Sequence, residues 1–146
     1  MKKILVMITL SLFVVGCGLQ NVSKEEQIPV IGKIIVDATE YEMRVGNYKW
    51  KGEKMSIEQV GSTDTPMEIA KGFNDLVIEK NSKIEILIED DPNLTVYQYS
   101  EDGKSKEITL TEKQITVPSN SGHYIYEVVG KWSDGEASFI FDVEIK

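Results

Sequence analysis

The stretch His123-Tyr124-Ile125-Tyr126-Glu127-Val128-Val129-Gly130-Lys131-Trp132-Ser133-Asp134-Gly135-Glu136-Ala137-Ser138-Phe139-Ile140-Phe141-Asp142-Val143-Glu144-Ile145 decides the fold. In its second half Ala137, Phe139, Phe141, Val143 and Ile145 alternate with Ser138, Asp142 and Glu144, and only Ile140 interrupts the polar set. That period of two is the mark of a strand with one face in a core. The first half, Tyr124 to Val129, is β-branched and aromatic, the composition of a second strand. Ser133-Asp134-Gly135-Glu136 separates them with an Asp-Gly pair, which supplies the positive-φ positions of a hairpin turn.

Upstream the same grammar repeats. Ile84, Ile86 and Ile88 alternate with Lys83, Glu85 and Glu89, and Asp90-Asp91-Pro92-Asn93 ends that strand with turn residues. Leu94 to Tyr99 reads as the next strand, and Glu101-Asp102-Gly103-Lys104 as a hairpin turn. Glu107-Ile108-Thr109-Leu110 and Gln114-Ile115-Thr116-Val117 follow as short strands, with Pro118 stopping the second. Nearer the start, Lys33 to Ala38 suits a short first strand. Tyr41 to Lys51 alternates imperfectly around a turn or bulge at Gly46-Asn47. Ile28-Pro29-Val30-Ile31 is at most an edge strand because of its proline. Met55 to Phe73 has no readable period; Thr63-Asp64-Thr65-Pro66 is a loop, and Met67 to Ala70 suits either a short helix or a strand. Evenly spaced strands with almost no helix imply an all-β, antiparallel sandwich.

Asn120-Ser121-Gly122-His123-Tyr124-Ile125-Tyr126 resembles the approach to strand F of immunoglobulin-like domains. There a tyrosine two residues before the usual cysteine bonds back to the preceding turn, the tyrosine corner. The resemblance makes Tyr124 the corner and puts Tyr126 where the cysteine would stand. Strands B, C, E, F and G then fall near 83–89, 94–100, 114–118, 123–131 and 137–145. The strand-C tryptophan has no counterpart between Leu94 and Tyr99. The expectation is an immunoglobulin-like β-sandwich without its disulfide.

The other end of the chain speaks of location. Lys2-Lys3 precede an apolar run from Ile4 to Val15, too short for a permanent span, which needs about 20 apolar residues. Basic pair, apolar run and small residue are the layout of a secretion signal. Val14-Val15-Gly16-Cys17 resembles the lipobox of bacterial lipoproteins. The resemblance implies lipidation of the Cys17 sulfur, cleavage before Cys17, and a membrane anchor at the new N-terminus on the extracytoplasmic face. Residues 1–16 are then a signal peptide, 17–27 a polar tether, and 28–146 the sandwich domain. Gly46-Asn47-Tyr48-Lys49-Trp50, Tyr124 to Val128 and Lys131 to Phe139 resemble pieces of small lipoproteins from low-GC Gram-positive, Bacillus-like bacteria. That resemblance implies location and fold, and it brings no catalytic or ligand residue.

Charge and composition narrow the function. The chain holds 24 acidic and 16 basic residues, a net charge of −8 that becomes about −10 when Lys2 and Lys3 are cut away. Such a body argues against nucleic acid, which asks for a basic face. It also resists lying flat on anionic lipid, while two acyl chains anchor without help from charge. Cys17 is the only cysteine and His123 the only histidine, too few for a zinc cage. No serine stands in a Gly-x-Ser-x-Gly elbow and no glycine-rich phosphate loop follows a strand. His123 reads as a turn residue at a strand start. Glu85, Asp142 and Glu144 read as a solvated face. Asp90, Asp91 and Asn93 offer oxygen ligands but lack the order of a dedicated calcium loop. Tyr41, Tyr48, Trp50, Tyr97, Tyr99 and Trp132 suit either a core or a binding face, and the core use is the commoner. The expected function is a non-enzymatic, cofactor-free interaction module. Its expected partner is an envelope protein or wall polymer, and its contact surface includes Asp90, Asp91 and Trp132. The alternative is a protease inhibitor or regulator of an envelope enzyme, presenting a loop at Asp90–Asn93 or Gly61–Pro66.

Overall fold

The computed structural model describes residues 30–51, 56–57, 65–73 and 76–146. The leader 1–16, the tether 17–27 with Cys17, and Gly61 to Asp64 of the second candidate loop lie outside the described residues.

Two antiparallel sheets enclose one core. The smaller contains β1 (Gly32–Val36), β2 (Thr39–Glu42), β6 (Lys83–Ile88) and β9 (Gln114–Thr116), in the order β2-β1-β6-β9. The larger contains β3 (Arg44–Lys51), β4 (Ser56–Ile57), β7 (Asn93–Tyr99), β8 (Ser105–Ile108), β10 (Gly122–Lys131) and β11 (Gly135–Ile145), in the order β4-β3-β11-β10-β7-β8. A short β5 (Val77–Ile78) runs parallel to the end of β11. A single turn of helix, α1 (Pro66–Ala70), lies outside the larger sheet against β3, β10 and β11. Thr65 caps it: the Thr65 Oγ1 accepts from Glu68 N–H, and Glu68 Oε2 accepts from Thr65 N–H at 2.7 Å.

The five strands named from the sequence fall where the sequence puts them, in two sheets of a β-sandwich. Strands B, C, E, F and G are β6, β7, β9, β10 and β11, with B and E in one sheet and C, F and G in the other. The tyrosine corner is present, since Tyr124 Oη donates to the Asn120 carbonyl at 3.3 Å. Tyr126, in the cysteine's place, is fully buried and stacks on Phe141 with ring centroids 5.0 Å apart. Its hydroxyl reaches Gln98 Oε1 at 3.5 Å.

Why these residues meet follows from the alternation. Ile34, Val36, Ile84, Ile86 and Ile115 line the inner face of the small sheet, and Val96, Tyr126, Val128, Phe139, Phe141 and Val143 that of the large one. Each such side chain contributes about 1.5–3 kcal/mol by leaving water. Gly46-Asn47 is a bulge, because β3 spends three steps from Val45 to Tyr48 where β11 spends two from Phe139 to Ala137. Ser138 Oγ accepts from Asn47 N–H at 2.9 Å and ties the bulge down.

Three details depart from the expectations. The first strand stops at Val36 because Asp37 and Ala38, both at positive φ, turn the chain into β2. The strand expected at 107–110 begins at Ser105, directly after the tight turn in which Ser100 N–H bonds the Lys104 carbonyl at 3.0 Å. Asp142 and Ser138 are not on a solvated face; they are 5% exposed, because the outer side of β11 is itself covered.

Replacing Tyr124 by phenylalanine removes the corner bond and nothing else. Chemical denaturation of Tyr124→Phe should show a loss of about 1 kcal/mol with an unchanged denaturant slope. Unchanged stability would mean that the corner is geometric only.

Candidate functional site

The three residues singled out from sequence gather at one end of the sandwich. Asp90 and Asp91 form the β6–β7 turn, both at positive φ, and both are exposed. The tip of the β10–β11 hairpin folds over it: Trp132 Nε1 donates to the Glu89 carbonyl at 3.2 Å. The Trp132 ring packs on Trp50 at a centroid distance of 5.1 Å and an angle of 52°. Gly130 makes room for this. A Cβ there would lie 2.9 Å from the Trp132 ring and 3.2 Å from Pro92. Trp132 is therefore half-buried, a packed strut with one side toward water.

Two further bonds fix the turn. Glu89 Oε2 accepts from Ile31 N–H at 3.0 Å, and Lys113 Nζ lies 2.6 Å from Asp91 Oδ1. The lysine arrives from the left-handed pair Glu112-Lys113 just before β9. Asp90, Asp91 and Trp132 thus sit on a ledge held by contacts from Ile31, Lys113 and Trp132. The Asp91 carboxylate faces a lysine, and no group of three or more metal-ligating side chains exists among the described residues.

A second site escaped sequence reading. Between α1 and the outer face of the larger sheet lies a pocket of about 280 Å³ walled by Met67, Ala70, Tyr99 and Ile125. His123 Nε2 lies 3.0 Å from Asp142 Oδ2, an exposed imidazole backed by a buried carboxylate. The register explains the meeting: His123 stands opposite Glu144 and Ile125 opposite Asp142, so the pair is diagonal across the β10–β11 ladder. A histidine held by a carboxylate is half of a nucleophile-activating array. The hydroxyl in the same pocket, Ser100 Oγ, is engaged by Asp102 Oδ1 and the Lys104 carbonyl within its own turn. The pair is thus bonded to no nucleophile among the described residues. The signals that could have found it were the lone histidine and Ile140, whose apolar side chain on the polar side of β11 marks that side as covered.

Next to this pair Tyr99 Oη donates to Glu127 Oε2 at 2.8 Å across neighbouring strands. Burial, then the bond to Glu127, pushes the Tyr99 hydroxyl up to about 12. Burial also holds the Tyr126 hydroxyl well above the usual phenol range.

Comparison of the chain with family models, with curated proteins and with solved structures finds no match in any of the three.

The tyrosine chemistry gives a pH dependence with a definite sign. A folded-state value raised from 10 to about 12 stabilises fully below pH 10 and is lost as pH climbs toward 12, because the unfolded phenol ionises first. Denaturation midpoints should fall across that window, and Tyr99→Phe should flatten the fall. An identical alkaline profile in both chains would contradict the assignment.

Proposed function

We propose that this chain is a lipid-anchored interaction module on the extracytoplasmic face of a cell membrane, tethered through Cys17 and acting without catalysis. The observation that carries the reading is the order Lys2-Lys3, Ile4 to Val15, then Gly16-Cys17, ahead of a polar linker and a separate sandwich. The anchor holds the acidic body at the surface without drawing it into the headgroups. The polar tether lets the body reach outward. The ledge of Asp90, Asp91 and Trp132 is the leading contact surface, because its turn and the Asp91 and Trp132 side chains have partners within the fold before a partner arrives, which lowers the ordering cost of binding. The partner is an envelope protein or a wall polymer. This chain is one of the small lipoproteins of Bacillus-like bacteria in this reading.

A second reading, inhibition of an envelope protease, draws on the same ledge. An inhibitor presents a rigid exposed loop, and residues 89–92 are exposed at Asp90 and Asp91 yet pinned by Ile31, Lys113 and Trp132. Inhibition of a co-expressed protease at nanomolar concentration would favour it over simple attachment.

Cells fed labelled palmitate should label the native chain and not Cys17→Ala, and the variant should leave the membrane fraction. The released variant, added back to envelopes from cells lacking the protein, should bind saturably. An unlabelled native chain would remove the anchor, and absence of saturable binding would remove the module.

A further inference from the structure

The chain carries two Asp-Gly pairs in turns, Asp102-Gly103 and Asp134-Gly135, and both aspartates are exposed. An aspartate before glycine is open to attack by the next backbone nitrogen, because no Cβ on the glycine shields it. The fold leaves very different freedom for that attack at the two places.

Asp102 is locked. Its carboxylate accepts from the Ser100 hydroxyl and from Lys104 N–H at 3.2 Å, and Lys104 Nζ lies 3.1 Å away. The Ser100 bond, then those from Lys104, hold the carboxyl below the usual carboxylate range. Ring closure starts from the neutral acid, so a carboxyl kept ionised by donors reacts slowly. The attacking nitrogen is tied as well, since Gly103 N–H donates to the Ser100 carbonyl at 2.9 Å.

Asp134 has none of these restraints. Its carboxylate has no hydrogen bond or ion pair among the described residues. Gly135 is there for packing rather than for the turn: its φ is not positive, and a Cβ would lie 2.5 Å from the Trp50 ring. The packing of Trp50 thus keeps a glycine behind an unrestrained aspartate. The neighbours depend on this link. Trp132 N–H donates to the Gly135 carbonyl at 2.8 Å and closes the hairpin across Ser133 and Asp134. That bond sets where the Trp132 ring leaves the chain to pack on Trp50 and donate to Glu89.

We propose that Asp134-Gly135 is a site of spontaneous isoaspartate formation that unseats Trp132, while Asp102-Gly103 is spared. The Gly135 nitrogen bonds to Asp134 Cγ, and its proton leaves with the carboxyl hydroxyl as water, closing a succinimide. Water then adds at one of the two ring carbonyls and breaks that carbonyl's bond to nitrogen. Opening at the main-chain carbonyl routes the backbone through Asp134 Cβ and Cγ, one carbon longer, with no net change in mass. The longer link between Trp132 and Gly135 cannot keep the closing bond and both ring contacts. None of this rests on the module reading.

The test ages the full-length chain in detergent micelles for weeks at mildly acidic pH and maps isoaspartate by peptide fragmentation. Isoaspartate at 134 should build up about tenfold faster than at 102, where bonds to a charged carboxylate must first break. Ser100→Ala combined with Lys104→Ala should raise conversion at 102 and leave 134 unchanged. The chain has two tryptophans, packed on each other, so emission reports this end of the sandwich alone. Emission should move to the red, and acrylamide quenching should rise, in step with conversion at 134. Asp134→Glu keeps the charge but needs a larger ring, which closes far more slowly, so its emission should stay native on ageing. No isoaspartate at 134, or conversion at 102 that is equal or faster, overturns the proposal. Full conversion with native emission overturns the unseating of Trp132, as does the same drift in Asp134→Glu.

Discussion

Burial of β11 on both faces is the constraint on which the rest depends. This strand pairs with β10 along its length, with β3 across the Gly46 bulge, and with β5 at its end. Phe139, Phe141 and Val143 fill the space between the sheets, while Ile140 joins Ala70 and Ile125 under the short helix. A strand covered on one side only would leave Ile140 and Asp142 in water. Covering the second side seats α1 over Ile140 and places Asp142 behind His123.

The same arrangement explains where contact surfaces can and cannot form. The β3 side of the large sheet is extended by β4 and braced by the bulge. The opposite side ends at β8 in the large sheet and β9 in the small one, and the groove between them is lined by Lys83 and Lys106 and equally by Glu107 and Glu112. At the end of that groove the turn 89–92 is held by contacts from Ile31, Lys113 and Trp132.

Legibility in the sequence followed local chemistry. The β10–β11 hairpin was readable because five apolar residues alternate after Asp134-Gly135, although neither of that pair takes the positive φ expected of it; the glycine is needed because a Cβ there would lie 2.5 Å from the Trp50 ring. Tyr124 was readable through its resemblance to a known corner, and its bond to Asn120 bears that out. The hairpin into β2 was hidden, since Asp37-Ala38 takes left-handed conformations without the glycine or asparagine that usually announces them. Asp142 was misread for a different reason. Period two says which side of a strand a residue is on, and it cannot say that a five-residue helix from an unreadable segment covers that side.

The most direct test of the account is photo-crosslinking in intact cells, with photoreactive groups replacing Asp91 and Trp132 in turn in the lipidated chain. The account predicts one discrete adduct from the native anchor, much stronger than from Cys17→Ala, whose released chain meets the same partner only at its free concentration. No adduct above that control from either position would contradict the reading of this sandwich as an anchored interaction module.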